Sequence, residues 1–216
     1  MTEYTLKVEL LSDAVFGSGE SVPGVVDQDV LHDCYGFPMM KGKTVKGKLK
    51  EEFEQILFCR DKGNTGTGNK ITEKLFGKED TDNSSCLRFS DLTMDRGVRS
   101  ILAEAVEKKE IDVADVIDAT TDIRSFTSIN YETGVAKKGS LRKIRVIRKG
   151  LIFTGTITSE RELTPDEELL LAQSAAALKH LGTMETRGKG FVKCRLSKDG
   201  SELTVCAKKD ERGKSI

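Results

Sequence analysis

The chain has 216 residues, of which 37% are hydrophobic, so it can bury one good core and is expected to form a single domain over residues 1–216. Its 35 basic and 35 acidic residues cancel, so the net charge alone does not predict a polyanionic partner. No apolar stretch approaches the roughly 20 residues that span a bilayer, and the amino terminus lacks the order of a signal peptide, so we expect a cytoplasmic protein with no membrane partner.

The first part of the chain predicts a strand, a long helix and a second strand. Residues 4–10 alternate polar and apolar side chains, as in a half-buried strand, and a Gly/Ser/Pro-rich loop follows. Over 43–58 the apolar residues recur at helical spacing, which predicts an amphipathic helix. Residues 63–69 are rich in glycine and are predicted to be a flexible loop, and 87–94 is predicted to be a strand.

The middle of the chain predicts a projecting hairpin. A short helix is expected over 98–106, and the acidic residues 107–124 are expected to be irregular. A turn at 132–134 and a basic strand near 142–148 predict a hairpin over about 125–149. An apolar strand at 151–158 follows it.

Helix signals return at Thr164, which is followed by Pro165 and an acidic first turn. Rows of leucine and alanine predict a helix that extends to Leu181 and ends at Gly182. Strands are expected at 191–196 and 202–207, followed by a disordered tail at about 208–216.

These elements predict an α+β fold. They run strand, helix, strand, strand, helix, strand, which is the order of the ferredoxin-like split βαβ unit that RNA-recognition modules share. Insertions at about 59–86 and 107–124 are expected to add a lobe to this βαββαβ unit. The order alone does not fix a function.

Basic residues are concentrated in three segments without acidic residues. Residues 41–50, 137–149 and 187–198 carry five, seven and five basic residues, whereas 101–122 carries seven acidic residues and two lysines. One charged run is usually a solvated face, but three runs interleaved with glycine and β-branched residues favour a continuous phosphate-binding surface.

The segment 36–44 ends in Gly-Lys-Thr before the long helix and invites comparison with a nucleotide-binding P-loop. Five residues separate its two glycines instead of four, and Pro38 stiffens it, so NTP hydrolysis is not expected. The helix start still favours a phosphate, because free backbone N–H groups and the positive end of a helix attract anions and Lys43 and Lys46 add charge.

Short motifs along the chain resemble the RAMP superfamily. They are a loop aspartate at Asp27, a Gly-x-Pro turn at 36–38, a helix start at 41–49, Leu-Phe-Gly at 75–77, Phe-Ser-Asp at 89–91, Ile-x-x-x-Thr-Gly-x-Ala at 129–136, Leu-Gly at 181–182 and Thr-Arg-Gly-Lys-Gly at 186–190. The chain departs from the family pattern at Lys41, at Lys43-Thr44 and at Asn130-Tyr131. Each motif is weak alone, but together and in order they span about residues 5–195.

Within that superfamily, the single-domain size and the Asp27 loop resemble the backbone subunit of a type III CRISPR effector complex. The resemblance implies a ferredoxin-like palm, a thumb hairpin that wedges between bases, and copies of the subunit stacked along a guide crRNA beside other type III subunits. It also implies cleavage of the complementary target RNA at regular intervals, with Mg²⁺ or Mn²⁺ as the cofactor. The family's catalytic, metal-binding aspartate falls on Asp27 and its guide-phosphate lysine on Lys46.

This reaction needs few protein groups, because RNA can be cleaved by its own 2′-hydroxyl once the linkage is held in line. Asp27 would bind the metal or take the hydroxyl proton, and Asp29 in the same loop is its main competitor. The residues expected to bind RNA are Lys43, Thr44, Lys46, Lys48, Lys137, Lys138, Arg142, Arg187 and Lys189.

Three other functions stay open. The chain could be a non-catalytic scaffold that only binds crRNA and partner subunits. It could be a related RAMP endoribonuclease that processes the guide, although such enzymes usually have two ferredoxin-like halves and a histidine near the first helix. A generic RNA-recognition domain has less support, because aromatic residues make up only 6% of the chain.

Overall fold

The computed structural model describes residues 1–61, 65–78, 85–203 and 205. Its helices are α1 Gly42–Arg60, α2 Thr65–Phe76, α3 Arg96–Glu107, α4 Val113–Thr120 and α5 Pro165–Ala177. Its strands are β1 Thr2–Leu10, β2 Leu87–Phe89, β3 Thr93–Met94, β4 Thr121–Phe126, β5 Arg142–Ile147, β6 Ile152–Ser159, β7 Val192–Lys198 and β8 Ser201–Glu202. In the described ranges, no helix is long and apolar enough to cross a membrane.

The main sheet confirms the predicted ferredoxin-like topology. Its antiparallel strands lie in the order β2, β6, β1, β7, β8, and β3 extends the β2 edge by pairing with β6. Strand β1 is central, because Thr2 to Glu9 pair with β6 on one side and Tyr4 to Leu10 pair with β7 on the other. With α1 after β1 and α5 after β6, this is the order of a βαββαβ unit.

The core lies between the sheet and the helices. Every second residue of β1 from Tyr4 to Leu10 is buried, as the alternating pattern predicts. On α1, the buried residues Val45, Leu49, Phe53 and Leu57 form the predicted apolar stripe. The ring of Phe53 meets that of Phe76 edge to face at 5.2 Å, which joins α2 to the same core.

Two segments predicted to be irregular contain helices. The loop prediction for 63–69 is wrong from Thr65 onward, because α2 starts there and packs Leu75 and Phe76 into the core, while 63 and 64 lie outside the described residues. The prediction for 107–124 is wrong because α4 occupies 113–120 and β4 begins at Thr121. Asp112 and Asp115 form a capping box at its start and Val116 is buried.

The predicted strand 87–94 is split into β2 and β3. Between them Ser90 still donates its N–H to the Thr156 carbonyl of β6, but Leu92 instead exchanges two backbone hydrogen bonds with Met40 just before α1. Of the predicted final strand 202–207, Glu202 lies in β8 and Leu203 follows it outside any strand; residues 204, 206 and 207 and the predicted tail at about 208–216 lie outside the described part.

Helix α5 starts as predicted and ends early. The Thr164 hydroxyl accepts a hydrogen bond from the Glu167 N–H in a capping box. The helix stops at Ala177 instead of Leu181, because the following backbone pairs with a later segment: Leu181 N–H donates to Gly190, and Val192 N–H donates to Lys179.

A second, two-stranded sheet projects from the palm. Strands β4 and β5 pair antiparallel from Thr121 with Ile147 to Phe126 with Arg142, and an isolated bridge between Ile129 and Ala136 continues the pairing outward. We call residues 121–147 the arm. Its basic strand agrees with the predicted 142–148, whereas the predicted limits of the domain, its insertions and the thumb remain predictions.

Candidate nucleic-acid interface

Asp27 is attached to strand β5 of the arm. Its N–H donates to the Lys143 carbonyl at 2.8 Å, and its Oδ2 accepts the Lys143 N–H at 2.7 Å. The Arg145 N–H then donates to Gln28, so the loop runs beside β5 as a short extra strand. Asp27 is exposed, and its other carboxylate oxygen accepts no hydrogen bond from a described residue.

A rigid turn precedes Asp27. Val25 N–H donates to the Val22 carbonyl at 3.0 Å, and Pro23 and Gly24, the latter with φ of +79°, occupy the two central positions, as in a type II turn. Val26 is buried and anchors the turn to the protein. Between this turn and the arm lies an open cleft of about 310 Å³, which we call the Asp27 cleft; it is lined by residues 21–27, Leu141 and Lys143.

Asp29 has a different environment. Its Oδ1 accepts the Val30 N–H at 2.9 Å and Arg145 Nε at 3.0 Å, and the side chains of Asp29 and Arg145 are only 16% and 12% exposed. This ion pair fastens the loop to β5. The geometry therefore leaves Asp27, rather than its competitor, free to meet a ligand.

A carboxylate caps the start of α1. Asp91 Oδ1 accepts the Gly42 N–H at 2.8 Å, and Lys41 Nζ lies 3.0 Å from Asp91 Oδ2. Burial raises the pKa of Asp91, but the Gly42 and Lys41 hydrogen bonds outweigh it and hold the pKa below its usual value. The expectation of free N–H groups at the helix start is wrong for Gly42, because the Asp91 carboxylate from the Phe-Ser-Asp loop already accepts that N–H. The same loop passes close to the helix: a Cβ on Gly42 would lie 2.5 Å from the Phe89 carbonyl oxygen.

Lys46 and Lys48 of α1 contact different parts of the protein. Lys46 Nζ donates to Ser85 Oγ at 2.8 Å, and burial, with the charge of Lys50, lowers the pKa of Lys46. Lys48 instead contacts Glu51 at 3.1 Å and Glu185 at 3.6 Å. Residues two positions apart on a helix point in different directions, so these lysines serve opposite flanks of α1. Lys43 and Thr44 are exposed between them.

A cleft of about 520 Å³ lies on the Lys46 flank of α1. It is lined by Gly42, Lys43, Lys46, Ser85, Leu87, Arg88, Phe89 and Glu160. Because Lys43 forms no ion pair with any described residue, its charge is available to a phosphate there.

Asp13 connects the glycine-rich loop 182–190 to the arm, and sequence reasoning missed it. Lys189 Nζ lies 3.1 Å from Asp13 Oδ2, Arg124 lies 3.8 Å from the same oxygen, and the Lys149 N–H donates to Oδ1 at 3.3 Å. Burial raises the pKa of Asp13, but the hydrogen bonds and positive charges of Lys189 and the other partners outweigh burial. The pKa of Asp13 therefore lies below its usual value. On its other side the glycine-rich loop contacts α1, because Glu185 of the loop lies 3.6 Å from Lys48. The loop therefore lies between α1 and the arm.

The arm presents exposed basic and apolar groups. Lys137, Lys138 and Arg142 are exposed and form no ion pair within the described part of the chain. Ile129 is 58% exposed and Tyr131 is fully exposed at the outer end. Arg187 of the glycine-rich loop is likewise exposed, whereas Lys189 is held by Asp13.

A sequence model of the RAMP superfamily matches residues 7–193. The chain belongs to the RAMP superfamily. The resemblance of its motifs to that family is thus confirmed, and the match includes the Asp27 loop, α1, the arm and the glycine-rich loop.

Solved structures share the fold of this RAMP protein. A chain of Type III-B Cmr-beta in its apo state superposes with a TM-score of 0.64 at 15% identity, covering 92% of this chain and 98% of its own. A chain of Type III-B Cmr-beta bound to cognate target RNA gives 0.63 at 14% identity, covering 91% and 97%. No curated protein matches the sequence.

Asp27 is exposed and could contribute one ligand to a metal ion that it shares with a substrate. Among the described residues, no group of three or more His, Cys, Asp and Glu side chains could hold an ion. A single exposed carboxylate with a free oxygen, as in Asp27, nevertheless fits Mg²⁺, which keeps several waters and takes other ligands from substrate phosphates.

Proposed function

We propose that this protein is the backbone subunit of a type III CRISPR ribonucleoprotein, which binds guide crRNA and cleaves the complementary target RNA at regular intervals. The observation that carries the proposal is Asp27: an exposed carboxylate with one oxygen fixed by Lys143 and the other free, beside strand β5 of the basic arm. The RAMP fold and its likeness to Type III-B Cmr-beta chains support the assignment to a type III complex.

The proposed reaction is attack by the RNA's own 2′-hydroxyl. The 2′-oxygen bonds to the adjacent phosphorus, the bond from phosphorus to the 5′-oxygen breaks, and the products are a 2′,3′-cyclic phosphate and a 5′-hydroxyl. The free oxygen of Asp27 either takes the proton of the 2′-hydroxyl or binds the metal ion, in which case water takes that proton; water protonates the departing 5′-oxygen. The protein's larger contribution is to hold the linkage in line.

We propose Mg²⁺ or Mn²⁺ as the cofactor, held by Asp27 together with phosphate oxygens of the target RNA. When bound, the ion would stabilise negative charge on the phosphate. The chain's own part is to keep the Asp27 oxygen oriented through the two hydrogen bonds to Lys143.

The proposed RNA track follows the unpaired basic groups. Lys43 and Lys46 at α1 and Arg187 in the glycine-rich loop would bind guide phosphates. The exposed apolar end of the arm would separate base pairs, and copies of the subunit, with other type III subunits, would extend the track. The Asp13 ion pair makes Lys189 a weaker candidate than Arg187.

The deciding experiment uses the assembled ribonucleoprotein and guide-matched RNA. In Asp27→Asn the amide oxygen can still accept the Lys143 N–H, so we expect RNA binding to be unchanged while cutting falls by about 100-fold or more. Asp29→Asn tests the competing aspartate in the same loop: its amide oxygen can still accept hydrogen bonds from the Val30 N–H and Arg145 Nε, and cutting should persist because Asp27 keeps its carboxylate. Omission of Mg²⁺ and Mn²⁺ should also stop cutting.

The same experiment distinguishes the alternatives. A wild-type assembly that binds guide and target but does not cut would identify a non-catalytic scaffold. Cutting confined to guide precursor would identify a processing enzyme. Unchanged target cutting in Asp27→Asn would remove Asp27 from the mechanism.

A further inference from the structure

Arg145 differs from the other basic residues of strand β5 because its side chain is covered. Arg142 and Lys143 are exposed, whereas the Arg145 side chain is only 12% exposed. Its neighbours Ile144 and Val146 are buried in the core, so Arg145 points away from the core, and an arginine in such a position is usually solvated. Because it is covered instead, Arg145 is poorly placed to bind a phosphate, and its role follows from the groups that cover it.

The Arg145 guanidinium joins three elements. Its Nε donates to Asp29 Oδ1 at 3.0 Å, in the loop that carries Asp27, and a terminal nitrogen donates to Thr121 Oγ1 at 3.1 Å, where α4 meets β4. The Arg145 N–H also donates to the Gln28 carbonyl at 3.0 Å. A planar guanidinium makes both side-chain bonds at once in fixed directions, whereas an ammonium group is a single point of charge.

The Arg145 contact is a stronger attachment of the loop than the bonds that Asp27 makes itself. The two hydrogen bonds between Asp27 and Lys143 lie at an exposed position, where water competes with them and lets them open readily. The bond from Arg145 to Asp29 is charge-assisted and shielded from water, which strengthens it. Asp29 is two residues from Asp27, so this bond limits where the Asp27 carboxylate can move.

The far end of the loop is fixed separately. Asp33 Oδ2 accepts two hydrogen bonds from Arg99 of α3, at 3.1 Å from Nε and 2.7 Å from a terminal nitrogen. The other oxygen of Asp33 accepts two backbone N–H groups of the residues that follow it. Loss of Arg145 should therefore release the Asp27 side of the loop without releasing the rest of it.

We infer that Arg145 is a positioning residue for cleavage, which acts through Asp29 to hold the Asp27 carboxylate in the orientation that the reaction needs. This rests on the proposed function. Asp29 contributes an oxygen acceptor and no reacting group, and Arg145 touches neither the target RNA nor the metal ion. A displacement of about 1 Å can slow a reaction by roughly 100-fold, so a small movement of the loop has a measurable effect.

The test compares variants of the assembled ribonucleoprotein by two quantities. One is the rate of cutting at saturating guide-matched RNA, and the other is the affinity for the same RNA with 2′-deoxy nucleotides at the cutting positions, which cannot be cut. Arg145→Met should cut about 10- to 100-fold more slowly with unchanged affinity. Arg145→Lys, which can reach Asp29 but cannot bind Thr121 at the same time, should recover part of the rate. Thr121→Val keeps the contact between Arg145 and Asp29 and should cut as wild type.

Variants at position 29 separate positioning from catalysis. Asp29→Asn keeps the oxygen that accepts Arg145 Nε and should cut as wild type, whereas Asp29→Ala loses that oxygen and should be as slow as Arg145→Met. The double variant Asp29→Ala/Arg145→Met should be no slower than either single variant, because both remove the same contact. Arg161→Met is the stability control: it breaks a pair with Glu167 at 2.6 Å, outside the loop and the arm, and should leave the rate of cutting unchanged.

A second readout does not use cutting. In hydrogen–deuterium exchange, the amides of Asp27 and Lys143 should exchange faster in Arg145→Met and Asp29→Ala than in wild type and Asp29→Asn, because the loop then opens more often from β5. If Arg145→Met fails to assemble, the comparison of Asp29→Ala with Asp29→Asn decides the same question.

The outcomes separate the two proposals. If the wild-type assembly does not cut guide-matched RNA, the proposed function fails and the inference falls with it. If wild type cuts and Arg145→Met cuts equally fast, only the inference about Arg145 is overturned. It is also overturned if Asp29→Asn is as slow as Asp29→Ala, since the charge of Asp29 is then required, or if Arg145→Met loses affinity for RNA in step with its cutting, since Arg145 then binds the RNA.

Discussion

Replacing Asp13 tests how the arm is joined to the glycine-rich loop. The side chains of Asp13 and Lys189 are each 18% exposed, so the pair is neither fully buried nor solvated. Breaking a buried pair costs about 3–5 kcal/mol, and a hydrogen bond to a charged group contributes about 1.5–3 kcal/mol. For Asp13→Ala we expect the free energy of unfolding to fall by about 2–3 kcal/mol, because Lys189 loses its counterion and the Lys149 N–H its acceptor.

The effect should depend on pH in a defined direction. The pKa of Asp13 is lowered in the folded protein, so its contribution to stability is complete above the unfolded pKa of about 3.9 and is lost as the pH falls through the folded value. The difference in stability between wild type and Asp13→Asn should therefore be constant from pH 7 to 5 and shrink below about pH 4.

Urea denaturation followed by circular dichroism at several pH values measures this. Asp166→Asn is the control, because Asp166 is 62% exposed in its pair with Arg60, and we expect it to cost less than about 1 kcal/mol. A loss below about 0.5 kcal/mol for Asp13→Ala, or a difference that does not change with acid, would refute the assigned role of Asp13.

Three further changes test the fold. Gly190→Ala should destabilise the protein by more than about 1 kcal/mol in urea denaturation, because Gly190 has φ of +74° and a Cβ would collide with the Leu181 carbonyl; an unchanged midpoint would contradict this backbone geometry. Thr164→Ala should cost about 1 kcal/mol by loss of the α5 cap, seen as a melting temperature lower by about 2–4 °C, and Thr164→Ser should restore it. Burial raises the pKa of Cys194 to about 12, so a thiol reagent at pH 8 should label exposed Cys59 in the native protein and Cys194 only after unfolding; rapid native labelling of Cys194 would contradict its burial.

The palm could be predicted from the sequence because its signals are local. The alternation of β1, the apolar stripe of α1 and the Thr164 cap each lie within one element. The α2 and α4 helices were missed because glycine, threonine and aspartate have weak helix preferences, and packing against the core overrides those preferences. Capping by Asp112 was a signal that could have located α4.

The candidate site was predictable only in part. Asp27 was found from the family motifs and the basic segments from the distribution of charge, yet nothing in their spacing showed that Asp29 is engaged by Arg145 or that Asp91 caps α1. Asp13 joins groups more than 100 residues away in the chain, and such partners become visible only when the fold is known. Ion pairs of this kind decide which basic side chains remain available to a phosphate.

The Lys143 N–H needs only an oxygen acceptor on the side chain of residue 27. An asparagine provides this acceptor and would leave the loop, the arm and the walls of the cleft unchanged. Under the proposed function, loss of cutting and retention of RNA binding are therefore separable by a single codon change.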